Sequence, residues 1–174
     1  LTKHLSTSID QKSCKQSWYA DDSTAVGRLE EMRRWWDELA DMGPKYGYHP
    51  KPSKTVLILK DQSLITEAKR IFGGTGIKFT TEGERHLGAV IGSDAFRKSY
   101  VKQKVSKWIE DVEQLSVIGI EEPQAALSGY TKGLCHRWTF LQRTVPGISD
   151  LFEPLESVIP VSYTHLTLPT IYSV

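Results

Sequence analysis

Apolar positions change period near the middle of this chain, separating a mixed front half from a helical back half. The first dozen residues are polar and carry no clear period. From about Lys15 to Ala25 a short hairpin is predicted: Trp18 and Tyr19 favour strand, Asp21-Asp22 favours a tight turn, and Thr24 to Val26 can return. Beyond Gly27, Leu29, Met32, Trp36 and Leu39 fall on one helical stripe that Gly43-Pro44 stops. The run Thr55 to Leu59 is continuously apolar, as in a buried strand. A second helix is expected over Leu64 to Phe72, with Leu64, Ala68, Ile71 and Phe72 inward and Gly73-Gly74 as terminator. Ile77 to Thr81 and His86 to Ile91 follow as strands, the second interrupted by Gly88, with Glu82-Gly83 as the turn between them.

From Lys98 the period is helical, and Val101, Val105, Trp108, Ile109, Val112 and Leu115 trace one long face. Pro123 suits a first helical turn, and a helix from it runs through Leu127, Tyr130, Leu134, Trp138 and Leu141 until Pro146-Gly147. A last helix is expected from Ile148 to Ile159. The shift near residue 96 marks the expected subdomain boundary.

Composition adds bounds. The 174 residues are 39% hydrophobic and 25% charged, enough for a core and close to the globular average. The formal net charge of +1 says nothing about partners. Locally, Arg97 to Lys107 holds basic residues and no acidic one, which fits either a phosphate-facing strip or the solvated face of a helix. Cys14 and Cys135 lack the spacing of a metal site or redox pair, so a reducing, intracellular setting (cytoplasm or nucleus) is expected. No apolar run approaches the roughly 18 residues that span a membrane.

The chemically loaded feature is the adjacent pair Asp21-Asp22 in a strand-turn-strand setting. Carboxylates at a hairpin tip can hold the two magnesium ions, about 4 Å apart, that phosphoryl transfer to a primer hydroxyl requires. Taken alone, Asp-Asp in a turn is ordinary turn chemistry.

Tyr19-Ala20-Asp21-Asp22 resembles the third palm motif of reverse transcriptases. Gly47 through Leu59, with Lys54-Thr55 ahead of an apolar strand, resembles the fourth motif of that family. Arg85-His86-Leu87-Gly88 followed by Ala89-Val90-Ile91-Gly92 resembles the fifth, the primer grip. The likeness covers roughly residues 15 to 145, and its specificity lies in three motifs in order. Trp35-Trp36, Gly43-Pro44-Lys45-Tyr46-Gly47-Tyr48 and Pro52-Ser53-Lys54-Thr55 resemble polymerases of retroelements widespread in animal genomes.

The resemblance implies an α+β fold: a partial polymerase palm of antiparallel strands with helices, then a helical thumb-like subdomain. Its divisions would be a polar segment of truncated palm over 1–14, partial palm over 15–96, and thumb-like region over 97–160. It implies Asp21 and Asp22 as magnesium ligands and Tyr19 as the aromatic near the primer terminus. Lys54 would be a proton donor to departing pyrophosphate, or else an exposed loop lysine. Leu87 and Gly88 would form the primer-grip turn, where glycine allows close backbone approach; the alternative for Gly88 is a strand bulge. Lys98, Lys102, Lys104 and Lys107 would contact nucleic-acid backbone. His86 is expected to pack rather than catalyse, Trp108 and Trp138 to sit in a core, and Cys135-His136 to form no zinc site.

The implied partners are an RNA or DNA template with primer, deoxynucleoside triphosphates, and fingers and palm from the same polyprotein, with no membrane. The family's other metal aspartate lies on a strand well upstream, and Asp10, in polar surroundings, does not match it. The chain alone is therefore expected to be inactive. Val161 to Thr170 resembles a translated sequencing-library adapter, so 161–174 is expected to be a non-native tail that interrupts the last helix. Two other readings stand beside the polymerase fragment: a non-catalytic nucleic-acid-binding remnant of a retroelement polymerase, and an unrelated α/β domain matching by chance.

Overall fold

A computed structural model describes residues 1–9 and 12–167; Asp10 and the end of the expected tail, from Leu168, lie outside the described residues. The fold is mixed α+β. It divides into two compact units, Leu1–Thr81 and Glu82–Val174.

The first unit opens with α1 (Thr2–Ser8), in a stretch expected to lack period. The period is present but sparse: Leu5 and Ile9 are buried and Leu1 packs beside them, each four residues from the next. An antiparallel ribbon follows, β1 (Cys14–Tyr19) with β2 (Asp22–Gly27). It lies against α2 (Leu29–Met42), which buries Leu39 as expected, and both Trp35 and Trp36. Arg33 Nη1 donates to the Ile71 carbonyl at 2.7 Å, tying α2 to α3 (Leu64–Ile71).

The strand β3 (Val56–Ile58) pairs with β4 (Lys78–Thr80) in parallel, not in an antiparallel palm-like ladder. Parallel neighbours need a crossover, and α3 supplies it, so these segments form a small β-α-β unit. Leu5, Cys14, Trp35, Trp36, Leu39, Phe72 and Ile77 make this unit's core.

The second unit starts with the antiparallel pair β5 (Gly83–His86) and β6 (Ala89–Gly92). The turn thus falls at Leu87-Gly88, and Glu82-Gly83 leads into the first strand rather than joining two. Gly83 stands opposite Gly92, and a Cβ on Gly83 would lie 2.5 Å from the Ile91 carbonyl oxygen and 2.6 Å from Phe96. Bare glycine is what lets the ribbon seat beside Phe96.

The long helix α4 (Asp94–Glu121) begins with Ser93, whose hydroxyl accepts from the Phe96 amide at 3.2 Å. Val101, Val105, Trp108 and Val112 are buried along it, the face the period predicts. Then come α5 (Pro123–Gly129), a π-helical turn at Tyr130–Leu134, and α6 (Cys135–Thr144). Trp108 and Trp138 meet edge to face with centroids 6.1 Å apart, and Trp108 stacks on Phe152. Both indoles are core, as expected. The last helix, α7 (Glu153–Thr167), contains Pro160 and continues through residue 161 rather than breaking there.

Val90 belongs to the same buried cluster as Val101 and Trp108, with Ala89 packed against it. That is why the units divide after Thr81 rather than near residue 96: the second ribbon's apolar face is covered by the helices that follow it. No helix among the described residues is long and apolar enough to cross a membrane.

Candidate functional site

In β1 alternate residues face inward, giving Cys14, Gln16 and Trp18 toward α2 and Lys15, Ser17 and Tyr19 toward solvent. The inward face is tied down by polar contacts as well as by packing. The Gln16 Oε1 accepts from the indole N–H groups of Trp18 and Trp35, each at 3.1 Å, while its amide donates to the Ser6 hydroxyl at 2.9 Å. On the partner strand the Ser23 hydroxyl lies 2.9 Å from the Tyr48 hydroxyl. The Tyr48 ring meets Trp18 edge-on at 5.3 Å. Cys14 is buried at the base of the ribbon, and burial, helped by the Glu31 charge, pushes its thiol pKa above the ordinary 9.0.

The ribbon's tip is open. Tyr19 pairs with Asp22, so the connecting loop is Ala20-Asp21 and Asp22 begins the return strand; the expected turn at Asp21-Asp22 is displaced by one residue. Both aspartates are exposed, and Tyr19 is 69% exposed. Tyr19 and Asp22, directly opposite each other, share one face of the ribbon. Ala20 carries the corner at φ 52°, in the region that side chains rarely adopt. Among the described residues one other non-glycine has positive φ, Leu87 at 49°. It occupies the same first loop position in the second ribbon, followed by Gly88 at φ 83°. Two positive φ values in a two-residue loop are the signature of a type I′ hairpin turn. Both non-glycine outliers therefore sit in segments that the motifs single out, the Asp-Asp loop in one unit and the primer-grip-like turn in the other.

Lys54 closes a short 3-10 turn, Pro52–Lys54, just ahead of β3, and is exposed. No hydrogen bond or ion pair among the described residues joins it to either aspartate. Asp21 and Asp22 offer the hard oxygens magnesium prefers. Among the described residues, however, no group of three or more His, Cys, Asp or Glu side chains could hold a metal. The donor chemistry fits the ion while the donor set is smaller than a two-metal site needs.

The basic strip on α4 is divided. Lys107 pairs with Glu110 at 3.1 Å and Asp111 at 3.4 Å, and their hydrogen bonds and charge raise its pKa above the ordinary value. Lys104 Nζ sits 5.5 Å from the centre of the Tyr100 ring, and Arg97 pairs with Asp94. Lys98 and Lys102 are exposed and make no ion pair among the described residues. One turn apart, they flank one edge of the buried stripe, whereas Lys104 and Lys107 flank the other. Five basic residues close in sequence thus reduce to two unengaged ones on a common edge.

His86 is half-buried in its strand. Cys135 donates its thiol to the Thr131 carbonyl at 3.2 Å, an ordinary helical contact beside exposed His136. Two features escape a reading of the sequence. One is Gln16, although its inward register between Cys14 and Trp18 follows from strand alternation. The other is Phe140, 44% exposed and packed on Gly88, for which no local signal exists. Comparison with protein-family models, with curated proteins and with solved structures found no match.

Proposed function

We propose that this chain is part of an RNA-directed DNA polymerase of a retroelement, an enzyme that joins deoxynucleotides to a primer by two-metal catalysis. The observation that carries the reading is the Tyr19-Ala20-Asp21-Asp22 loop: two exposed carboxylates at the tip of a ribbon whose other face is braced. Bound magnesium would activate the primer hydroxyl and neutralise charge on the leaving pyrophosphate. Asp21 and Asp22 would supply oxygen ligands to it, and the set would need a further carboxylate besides these two. Tyr19, on the same ribbon face as Asp22, packs near the primer terminus. Lys54 donates a proton to the departing pyrophosphate, and the Leu87-Gly88 turn brings backbone close to the primer.

The test is primer extension by a longer protein that includes the upstream palm and fingers. Asp21→Asn should abolish nucleotide incorporation while template-primer binding stays within about two-fold, since a metal ligand adds little to backbone affinity. Extension that survives the change would sink the metal role. The chain of 174 residues alone should not extend a primer.

A second reading, a nucleic-acid-binding remnant without catalysis, draws on local basic stretches within the second unit. Lys98 and Lys102 are unengaged, and Pro123 to Ser149 contains no acidic residue. Unchanged binding together with no extension by the longer protein, even with its aspartates intact, would favour it.

A further inference from the structure

Within the second unit, α6 leaves one aromatic ring open. Trp138 and Leu141 on this helix are buried, whereas Phe140 between them is 44% exposed. The ring is not loose, because a Cβ placed on Gly88 would meet Phe140 Cε1 at 3.3 Å and Cζ at 3.8 Å. The Leu87-Gly88 turn therefore abuts one edge of the ring. Leu87, beside that glycine, is itself 43% exposed.

Along the chain on either side of this ring, the charge has one sign. From Pro123 to Ser149 the chain has no Asp or Glu, and within it lie Lys132, Arg137 and Arg143. His136 and Arg143 stand four residues before and three after Phe140, on its side of the helix. Both are exposed, and neither makes an ion pair or side-chain hydrogen bond among the described residues. Arg137, off that face, is already engaged with Asp111 at 3.2 Å. Immediately upstream, the π turn Tyr130–Leu134 widens the helix, a feature that recurs at functional sites.

We propose that the His136–Phe140–Arg143 face of α6, with the Leu87-Gly88 turn beside it, docks a single-stranded nucleic-acid segment, and that Phe140 stacks on one of its bases. An aromatic face flanked by cations suits a strand whose bases are open and whose phosphates are close. A duplex offers such a ring only its terminal pair, and an apolar protein partner would leave the two cations without a role. The proposal rests on the nucleic-acid reading of the chain but not on catalysis. It also differs from the backbone role that the resemblance implies for Lys98 and Lys102, which lie on α4.

The experiment is fluorescence anisotropy of a short labelled oligothymidylate with the full chain, in chelator so that no metal contributes. Phe140→Leu keeps an apolar side chain against Gly88 but removes the stacking face; it should weaken binding about ten-fold. Phe140→Trp should retain wild-type affinity. Arg143→Ala should lower the slope of log affinity against log salt by about 1. Thermal melts of each variant confirm that the fold is intact. Wild-type affinity in Phe140→Leu, or Phe140→Trp binding as weakly as Phe140→Leu, would overturn the stacking role. A wild-type chain that ignores the oligonucleotide would overturn the docking site and leave a protein partner for the face. Primer extension by the longer protein reports on the polymerase reading and anisotropy in chelator on this one, so failure of either is seen in its own assay.

Discussion

Tyr48 reaches back to the aspartate-bearing ribbon, its hydroxyl 2.9 Å from the hydroxyl of Ser23, one residue past Asp22. The same ring meets Trp18 on the opposite strand. Tyr48 therefore clamps both strands just below the open tip. A tip presented rigidly is what a pair of carboxylates needs to hold an ion in place, because flexibility would have to be lost on binding. Tyr48→Phe keeps the ring contact and removes the hydroxyl, so it should cost about 1 kcal/mol in a urea titration. No loss of stability would mean that the hydroxyl pair is incidental.

Ala20 carries the corner of that tip at φ 52°. A left-handed conformation costs an L-residue about 1–2 kcal/mol. Glycine would relieve this cost while losing roughly 0.5–1 kcal/mol to its freer unfolded chain. Ala20→Gly should therefore stabilise the protein by about 0.5–1 kcal/mol in the same titration, the difference of those terms. A destabilised variant would show that the alanine methyl makes contacts that outweigh its backbone conformation.

The divided basic strip makes a contrast that charge alone does not. Replacing Lys98 and Lys102 together with Ala should lower the salt slope of nucleic-acid binding by about 2, one counterion for each phosphate no longer neutralised. Lys107→Ala should leave the slope nearly unchanged, because that ammonium is already held by Glu110 and Asp111. Equal effects from the two substitutions would indicate that these acidic partners let go when nucleic acid binds.

Cys14 gives a pH dependence of known sign. Its folded thiol holds the proton more tightly than the unfolded one, so its contribution to stability is intact below pH 9.0 and fades as the pH rises beyond. The fall in melting temperature between about pH 8 and pH 10.5 should be smaller in Cys14→Ala than in wild type. Disulfide-exchange reagents should label half-buried Cys135 first and Cys14 slowly. Equal labelling rates would show that the base of the ribbon opens readily.

Long amphipathic segments are legible in the chain. The face of α4 is predicted through Val101, Val105, Trp108 and Val112 because three or more turns repeat one period, and those residues are buried. The same signal misses α1, where Leu5 and Ile9 are separated by polar residues and two turns are too few to stand out. It also undercounts α2, where both Trp35 and Trp36 are buried and a single stripe predicts only one. Strand pairing is harder to read. Three-residue strands such as Val56–Ile58 say nothing about their partner, so the parallel match with Lys78–Thr80 depends on the helix between them. The second ribbon's turn is misplaced by sequence because Glu82-Gly83 has the local chemistry of a turn. Gly83 serves instead as a gap opposite Gly92, a need visible only once Phe96 is seen beside it. At the candidate site, the aspartates announce themselves by sequence. Their braces, Gln16 and Tyr48, do not, because each acts on segments distant in the chain.

Each compact unit has a core of its own, and the tryptophans divide with them: Trp18, Trp35 and Trp36 in the first, Trp108 and Trp138 in the second. The chain is thus labelled by nature for watching its halves melt separately. With Trp108 and Trp138 exchanged for phenylalanine, the remaining fluorescence would report only the unit that carries the aspartates. Whether that half holds its shape when the other loosens could then be followed without attaching any dye.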